Sequence, residues 1–141
     1  MITAMKWPRM MISTDALPAL DLDIMANPNV AGTFSRVLGH YVRDTGVLSL
    51  HQALAKMSLF QAQWMEQASP AFKTKGRLQE GADADIVIFD PDTVAAQAVY
   101  GDPYQKPIGI QHVVVGGRQV VENSVRIEGR YPGRKLLGPA R

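Results

Sequence analysis

Residues 76–94 read GRLQEGADADIVIFDPDTV and determine how the second half of the chain folds. Within them, the run ADIVIFD at 84–90 is rich in β-branched and aromatic side chains and is bounded by aspartates, which predicts a β-strand. Pro91 ends this strand because proline has no N–H for a ladder hydrogen bond. The polar, glycine-punctuated residues 73–81 before the strand predict a connecting segment.

Downstream, β-rich runs at 110–115 and 118–122 lie on either side of Gly116-Gly117. Two strands flanking two glycines predict a tight hairpin, in which at least one glycine has a positive φ. A third short strand is predicted at 125–127. Residues 73–141 are therefore expected to form a small antiparallel β unit with an extended basic end.

Upstream, the first of two predicted helices covers residues 34–44, where apolar side chains recur at three- and four-residue spacing. Thr33 or Ser35 is the predicted N-cap, since hydroxyl side chains satisfy the free N–H groups of a first helical turn. Gly46 is expected to end the helix, because glycine readily adopts the left-handed conformation found after helix C-termini.

The second predicted helix begins at Ser49, because Ser49 and Gln52 have the spacing of a capping box. A break is expected near Ser58, and Pro70 prevents extension of the helix beyond it. The apolar stripe of this helix consists of Leu50, Leu54 and Met57.

The first apolar run of the chain, residues 9–15, predicts a short buried strand that ends at Asp15. A loop is expected at residues 21–32, which contain the turn sequence Asn27-Pro28-Asn29. The helices and this strand together occupy about the first 70 residues.

The composition excludes several classes of protein. A chain of 141 residues is too short for a complete (β/α)₈ barrel, which needs about 250. With 46% hydrophobic and 20% charged residues, the chain has enough apolar side chains for a core and does not resemble a disordered protein. No apolar run approaches the roughly 18 residues of a membrane span, and the N-terminus does not resemble a signal peptide. The absence of cysteine fits a cytoplasmic protein.

The formal net charge of +2 is unevenly distributed. Residues 1–115 carry nine Lys/Arg against eleven Asp/Glu, whereas residues 116–141 carry six against two. The basic charges at the end of the chain are spread out, are interleaved with glycine and proline, and form no ladder with aromatic side chains. We therefore expect a solvated tail, with neither nucleic acid nor membrane as a partner.

Asp15 is the first candidate for chemistry. A carboxylate directly after an apolar strand lies where parallel α/β folds place catalytic groups, although the local pattern by itself favours an aspartate that caps the turn into Ala16-Leu17-Pro18. The histidines at 40, 51 and 112 share neither the i, i+4 nor the His-x-His spacing of a zinc site. No P-loop, nucleophile elbow or dinucleotide-binding glycine motif is present.

Four segments taken together resemble the N-acyl-D-amino-acid deacylases, or D-aminoacylases, of the metal-dependent amidohydrolase superfamily. They are ISTDALP at 12–18, GTFSRVLGHYVR at 32–43, the opening stretch at 76–94 and VGGR at 115–118. The GADADIVIFD sequence is shared across many amidohydrolases, whereas GTFSRVLG indicates the deacylase branch. The resemblance is to the C-terminal portion of these enzymes and covers nearly the whole chain.

The resemblance implies an α+β fold with two parts. Residues 1–72 would be the last strand and following helices of a (β/α)₈ barrel, and residues 73–141 the C-terminal part of a small β-sandwich domain. Asp15 would be the family's catalytic aspartate, which takes a proton from a metal-bound water and delivers one to the leaving amine. It is also a candidate zinc ligand, and the other ligands are expected upstream of this sequence.

One motif departs from the family pattern. The His-Pro-Arg step, whose arginine grips the substrate carboxylate in the family, reads Asn27-Pro28-Asn29 here. Arg36 or Arg43 is a substitute candidate for substrate binding, and each also suits a charge on a helix surface.

The resemblance implies the C-terminal part of a zinc-dependent amidohydrolase that hydrolyses the amide bond of N-acyl-D-amino acids. The 141-residue chain by itself is expected to be inactive, to bind no zinc tightly and to self-associate, because a single barrel strand lacks its neighbours. Two alternatives remain: a stand-alone, non-catalytic β-rich module that binds a partner, and the product of a decayed gene.

Overall fold

The structure is a computed structural model that describes residues 1–15 and 27–137. Its helices are α1 (Ile2–Lys6), α2 (Asn29–Arg36), α3 (Leu50–Leu54) and α4 (Phe60–Met65). The π-helical segment Val37–Asp44 continues α2, Ala55–Leu59 joins α3 to α4, and Pro70–Thr74 forms a 3₁₀ helix. We call residues 29–44 the first long helix and residues 50–65 the second long helix. Among the described residues, no helix combines the length and the apolarity needed to cross a membrane.

Four strands form one antiparallel sheet in the order β1-β2-β3-β4. They are β1 (Ile86–Phe89), β2 (Ile110–Val115), β3 (Arg118–Glu122) and β4 (Val125–Arg126). The strands predicted within the β unit are confirmed, and so is the hairpin between β2 and β3. Gly116 and Gly117 have φ values of 54° and 76°, so both hairpin residues are left-handed, as in a type I′ turn.

The first long helix begins earlier than predicted, at Asn29. The predicted caps are wrong: Thr33 and Ser35 lie inside the helix, where their hydroxyls donate to backbone carbonyls about one turn earlier. Pro28 is the N-cap and has no capping side chain, and the Oδ1 of Asn27, one residue earlier, accepts the N–H of Asn29 at 3.2 Å. Gly46 follows the helix with φ 60°, which confirms the predicted C-terminus.

The second long helix begins with the predicted capping box. The hydroxyl of Ser49 accepts the N–H of Gln52 at 3.2 Å, and the Gln52 side chain accepts the N–H of Ser49 at 2.9 Å. The expected break near Ser58 is wrong, because a π-helical segment carries the chain through that position without interruption. Pro70 starts the 3₁₀ helix after the long helix has ended.

The expected strand at residues 9–15 is also wrong, since no strand is present in that range. Strand conformation is stabilised by ladder hydrogen bonds to a neighbouring strand, and the described residues supply none to this segment. The backbone instead binds the second long helix, and the N–H of Ile12 donates to the carbonyl of Lys56 at 2.9 Å.

The helices share one hydrophobic core, and the first long helix contacts the β unit at a junction around residue 94. The core consists of Met5, Ile12, Val37, Tyr41, Leu48 and Ala53. Val94, only 1% exposed, lies at the junction. The guanidinium of Arg43 donates to the Val94 carbonyl at 2.7 Å, and a Cβ placed on Gly39 would lie 2.5 Å from the same oxygen. The first long helix therefore packs backbone against backbone on residue 94.

Candidate functional site

Asp15 lies at the last described position before residue 27, with an exposed side chain and a φ of 49°. Aspartate is one of the few residues that adopt this left-handed conformation at modest cost. Such a backbone outlier is a reason to suspect function, and it also suits a turn. The predicted turn into Ala16-Leu17-Pro18 lies outside the described residues.

A cavity of about 680 Å³ lies beside this segment, between the N-terminal residues and the first long helix. Its polar edge is formed by Ser13, Asn29, Thr33 and Arg36, and its apolar wall includes four methionines: Met1, Met5, Met10 and Met11. The volume is within the range of pockets that bind small molecules. Ser13 lines the cavity, whereas Asp15, two residues later, is not among its lining residues.

Two groups on the polar edge have no salt-bridge or hydrogen-bond partner among the described residues. The guanidinium of Arg36 lies 5.9 Å from the ring centroid of Tyr41, in cation–π geometry, and no described carboxylate is within salt-bridge distance of it. The Oδ1 of Asn29 is buried and has no hydrogen-bond partner among the described residues. A buried acceptor without a partner is energetically costly, so a donor on a bound molecule would stabilise it.

Arg43, the other arginine considered for substrate binding, has a structural role. Its Nη1 donates to the carbonyls of Val94 and Pro91, and its Nε donates to Asp44 at 2.9 Å. These contacts fix the guanidinium at the junction between the first long helix and the β unit. Arg36 is therefore the better candidate for a substrate carboxylate.

The three histidines lie on different elements. His40 is near Asp44 and edge-on to the ring of Tyr41, His51 is exposed in the first turn of α3, and His112 on β2 contacts the Gln119 amide at 3.0 Å. No group of three His, Cys, Asp or Glu side chains within residues 1–15 and 27–137 could hold a metal ion. The described residues therefore do not fit a zinc site.

The paired aspartates of the GADAD motif form an ionic cluster that sequence reasoning missed. The ammonium of Lys75 lies 3.1 Å from Asp83 and 2.5 Å from Asp85, and Asp85 also accepts the N–H of Gly116 at 2.7 Å. The Lys75 ammonium, followed by the Gly116 N–H, lowers the pKa of the Asp85 carboxyl. This cluster ties the connecting segment to the hairpin, so the motif has a structural role here.

A second and larger concave surface, of about 980 Å³, separates the two long helices from the sheet. Its apolar lining includes Phe34, Leu38, Leu54, Met57, Ile86, Phe89, Ile110 and Val113. Of the predicted apolar stripe, Leu54 is 40% exposed, and Leu50 and Met57 are half-buried. We call this the apolar concave surface.

Comparison with known proteins gives consistent results. The sequence model of the amidohydrolase family matches residues 13–121. A D-aminoacylase from Alcaligenes xylosoxydans xylosoxydans is 40% identical over 130 residues, which are 92% of this chain and 25% of that protein. A solved structure of a D-aminoacylase with a binuclear metal centre is 37% identical, with a TM-score of 0.84 over 96% of this chain and 27% of that one.

An N-acyl-D-glutamate deacylase from Bordetella bronchiseptica, solved with zinc and a phosphonate that mimics the tetrahedral intermediate, is 41% identical. Its TM-score is 0.69, over 78% of this chain and 22% of that chain. The chain thus spans about a quarter of the length of the relatives it matches.

Proposed function

Because the chain belongs to the amidohydrolase family, we propose that it forms the C-terminal part of a metal-dependent N-acyl-D-amino-acid deacylase. The main support for this proposal is the similarity in sequence and structure to deacylases along almost the whole chain. The reaction would be hydrolysis of the amide bond between the acyl group and the amino nitrogen. Residues 1–72 would belong to the barrel of the enzyme, and residues 73–141 to its small β-sandwich.

The chain's main chemical contribution would be Asp15. In amide hydrolysis a water oxygen bonds to the carbonyl carbon, the C–N bond breaks, and the leaving nitrogen must gain a proton. A carboxylate beside the reacting atoms can take the proton from the water and deliver it to that nitrogen. The exposure and backbone conformation of Asp15 leave its side chain open to such a role.

Arg36 would bind the substrate carboxylate. A guanidinium suits this task because it offers a planar set of donors and stays charged at every relevant pH. Support comes from its place on the cavity edge and from Asn29, a neutral residue at the position of the family's arginine.

Zinc would have to be bound mainly by residues outside the described part of this chain. The relatives solved with metal are about four times longer than this chain, so their remaining polypeptide can supply ligands. Asp15 would contribute at most one ligand to such a site. We therefore place the zinc in the complete enzyme and expect no tight binding by this chain alone.

The experiment compares hydrolysis by the chain alone with hydrolysis by a reconstituted enzyme. The reconstituted enzyme is a D-aminoacylase relative without the quarter that aligns with this chain, combined with this chain as a separate polypeptide. With added zinc, we expect the reconstituted enzyme to hydrolyse N-acyl-D-amino acids. Either polypeptide alone should show no hydrolysis above background. Zinc-dependent hydrolysis by the chain alone would contradict the proposal, and so would an inactive mixture in which the two polypeptides bind each other.

The apolar concave surface supports a second candidate function, in which the chain binds another polypeptide or a second copy of itself. Contiguous apolar patches of this kind mark interaction sites in soluble proteins. We expect sedimentation to show concentration-dependent association of the chain, weakened by Leu54→Glu. Trp64→Glu is the matched control, because Trp64 is 64% exposed on the same helix and does not line that surface. A monomer at every concentration would contradict self-association.

A further inference from the structure

Lys56 is a buried cation without a carboxylate partner among the described residues. It lies on the second long helix, is 3% exposed, and forms no salt bridge in the described part of the chain. Its Nζ donates to the carbonyls of Trp7, Pro8 and Met10, at 2.5, 3.4 and 3.3 Å. Burial of an ammonium is costly unless its donors are satisfied, so these three carbonyls stabilise it.

A neighbouring side chain continues the same set of contacts. The Nε2 of Gln61 donates to the carbonyl of Ile12 at 2.8 Å and to that of Lys56 at 2.6 Å. The Lys56 carbonyl also accepts the N–H of Ile12. Both backbone polar groups of Ile12 are therefore bound by the second long helix.

These contacts take the place of strand neighbours for residues 7–12. Four carbonyls and one N–H of residues 7–12, which overlap the strand expected at 9–15, are bound by one ammonium, one amide and one helix carbonyl. The segment ends three residues before Asp15. Only Ser13 and Thr14 separate the bound segment from Asp15, so the polar set limits how far the Asp15 backbone can move.

We propose that Lys56 and Gln61 are positioning residues for Asp15. They hold the backbone of residues 7–12 against the second long helix and so fix where the Asp15 carboxyl can reach. The catalytic part of this inference rests on the proposed function, and the structural part does not. A displacement of about 1 Å at a reacting group can cost about 10²-fold in rate.

The structural part is tested by NMR on the 141-residue chain with Lys56→Met, which keeps the length of the side chain and removes its donors. We expect the Ile12 amide to lose most of its protection from hydrogen exchange and the backbone resonances of Thr14 and Asp15 to shift. Lys56→Arg should restore both, because a guanidinium can donate to several carbonyls. Lys73→Met, which changes an exposed lysine, should alter neither signal.

If Lys56→Met does not fold, Gln61→Glu gives the same test. The substitution keeps the shape of the side chain and presents an oxygen, in place of donor hydrogens, to the carbonyls of Ile12 and Lys56. Unchanged Ile12 protection and unchanged Asp15 resonances in a folded variant would overturn the proposal.

The catalytic part is tested by measuring kcat and KM of the reconstituted enzyme. Lys56→Met should lower kcat about 10²-fold with little change in KM, and Lys56→Arg should recover most of the loss. An equal kcat for Lys56→Met and the unmodified chain would overturn the catalytic part. The reconstituted enzyme could also be inactive with the unmodified chain, while the Asp15 resonances still shift in Lys56→Met. That pair of results would overturn the proposed function and leave the structural part in place.

Discussion

At the scale of single residues, Gly117 shows how local geometry limits the sequence. Its φ of 76° lies in the left-handed region, which β-branched side chains adopt only with strain, and nothing lies within 4 Å of the place of a Cβ. We expect Gly117→Val to lower the free energy of unfolding by about 1–3 kcal/mol through backbone strain alone. Urea denaturation measures this change.

Gly133 provides the control for that substitution. It also has open space around the Cβ position, and its φ is not in the left-handed region. Gly133→Val should therefore leave the urea midpoint nearly unchanged. Equal midpoints for Gly117→Val and the unmodified chain would show that the hairpin conformation is not required.

Asp85 makes the stability of the β unit depend on pH. Its pKa is lowered in the folded chain, chiefly by Lys75 and then by the Gly116 N–H. A carboxyl with a lowered folded pKa contributes stability above its unfolded pKa of about 3.9, and loses that contribution as pH falls through the folded pKa. We expect the unfolding free energy to fall between pH 5 and pH 2.

Asp85→Asn should reduce that acid-dependent loss, because the variant has no charge to lose. The effect should be within about 1 kcal/mol, since the pair with Lys75 is partly exposed and screened by solvent. Urea midpoints at pH 7 and pH 3 measure it, with Glu80→Gln at an exposed turn as the control. The idea fails if Asp85→Asn and the unmodified chain lose the same stability on acidification.

At the scale of secondary-structure elements, the contact of the first long helix with residue 94 explains Gly39. At an open helical position, replacing glycine by alanine stabilises a helix by about 1 kcal/mol. Here the new Cβ would lie 2.5 Å from the Val94 carbonyl oxygen, so the helix and the β unit would have to separate. We expect Gly39→Ala to destabilise the chain by about 1–3 kcal/mol.

Whether Gly39→Ala lowers or raises stability tests the contact with residue 94, and thermal unfolding measures the change. Ser58→Ala, an exposed position on the second long helix, should change stability by less than about 0.5 kcal/mol. A higher melting temperature for Gly39→Ala would mean that the two parts of the chain do not pack as described.

Elements with local signals could be predicted from the sequence. The hairpin at Gly116-Gly117 and the capping box at Ser49 each depend on a few adjacent residues, so their patterns were sufficient. The segment at residues 9–15 could not be predicted in the same way, because a strand depends on partners distant in sequence. The ammonium of Lys56, which binds that segment instead, shows no distinctive local pattern.

The π-helical segments and the contacts of the candidate site could not be predicted from local sequence patterns either. A π-helical turn has no recognised sequence signature here, so a break was predicted where the second long helix continues through Ser58. For the site, the sequence singled out Asp15 and Arg36, but it could not show that Arg43 is bound to the Val94 carbonyl. Such contacts join residues that lie about 50 positions apart.

At the scale of the whole molecule, the chain has a folded helical core and a sheet, but large apolar surfaces remain open. The apolar concave surface and the methionine-lined cavity together involve both long helices and the N-terminal residues. In relatives about four times as long, additional polypeptide is present that could cover equivalent surfaces. We therefore expect the deacylase activity proposed above to require such additional polypeptide.

The most direct test of the account is the kcat of the reconstituted enzyme with Asp15→Asn. Asparagine keeps the shape of the side chain and removes the group that carries a proton. We expect the assembly to form normally, to retain its zinc, and to lose about 10²–10⁴-fold in kcat, which is the usual contribution of a positioned acid–base group. A kcat within a few-fold of the unmodified assembly would contradict the catalytic role of Asp15 and the central claim.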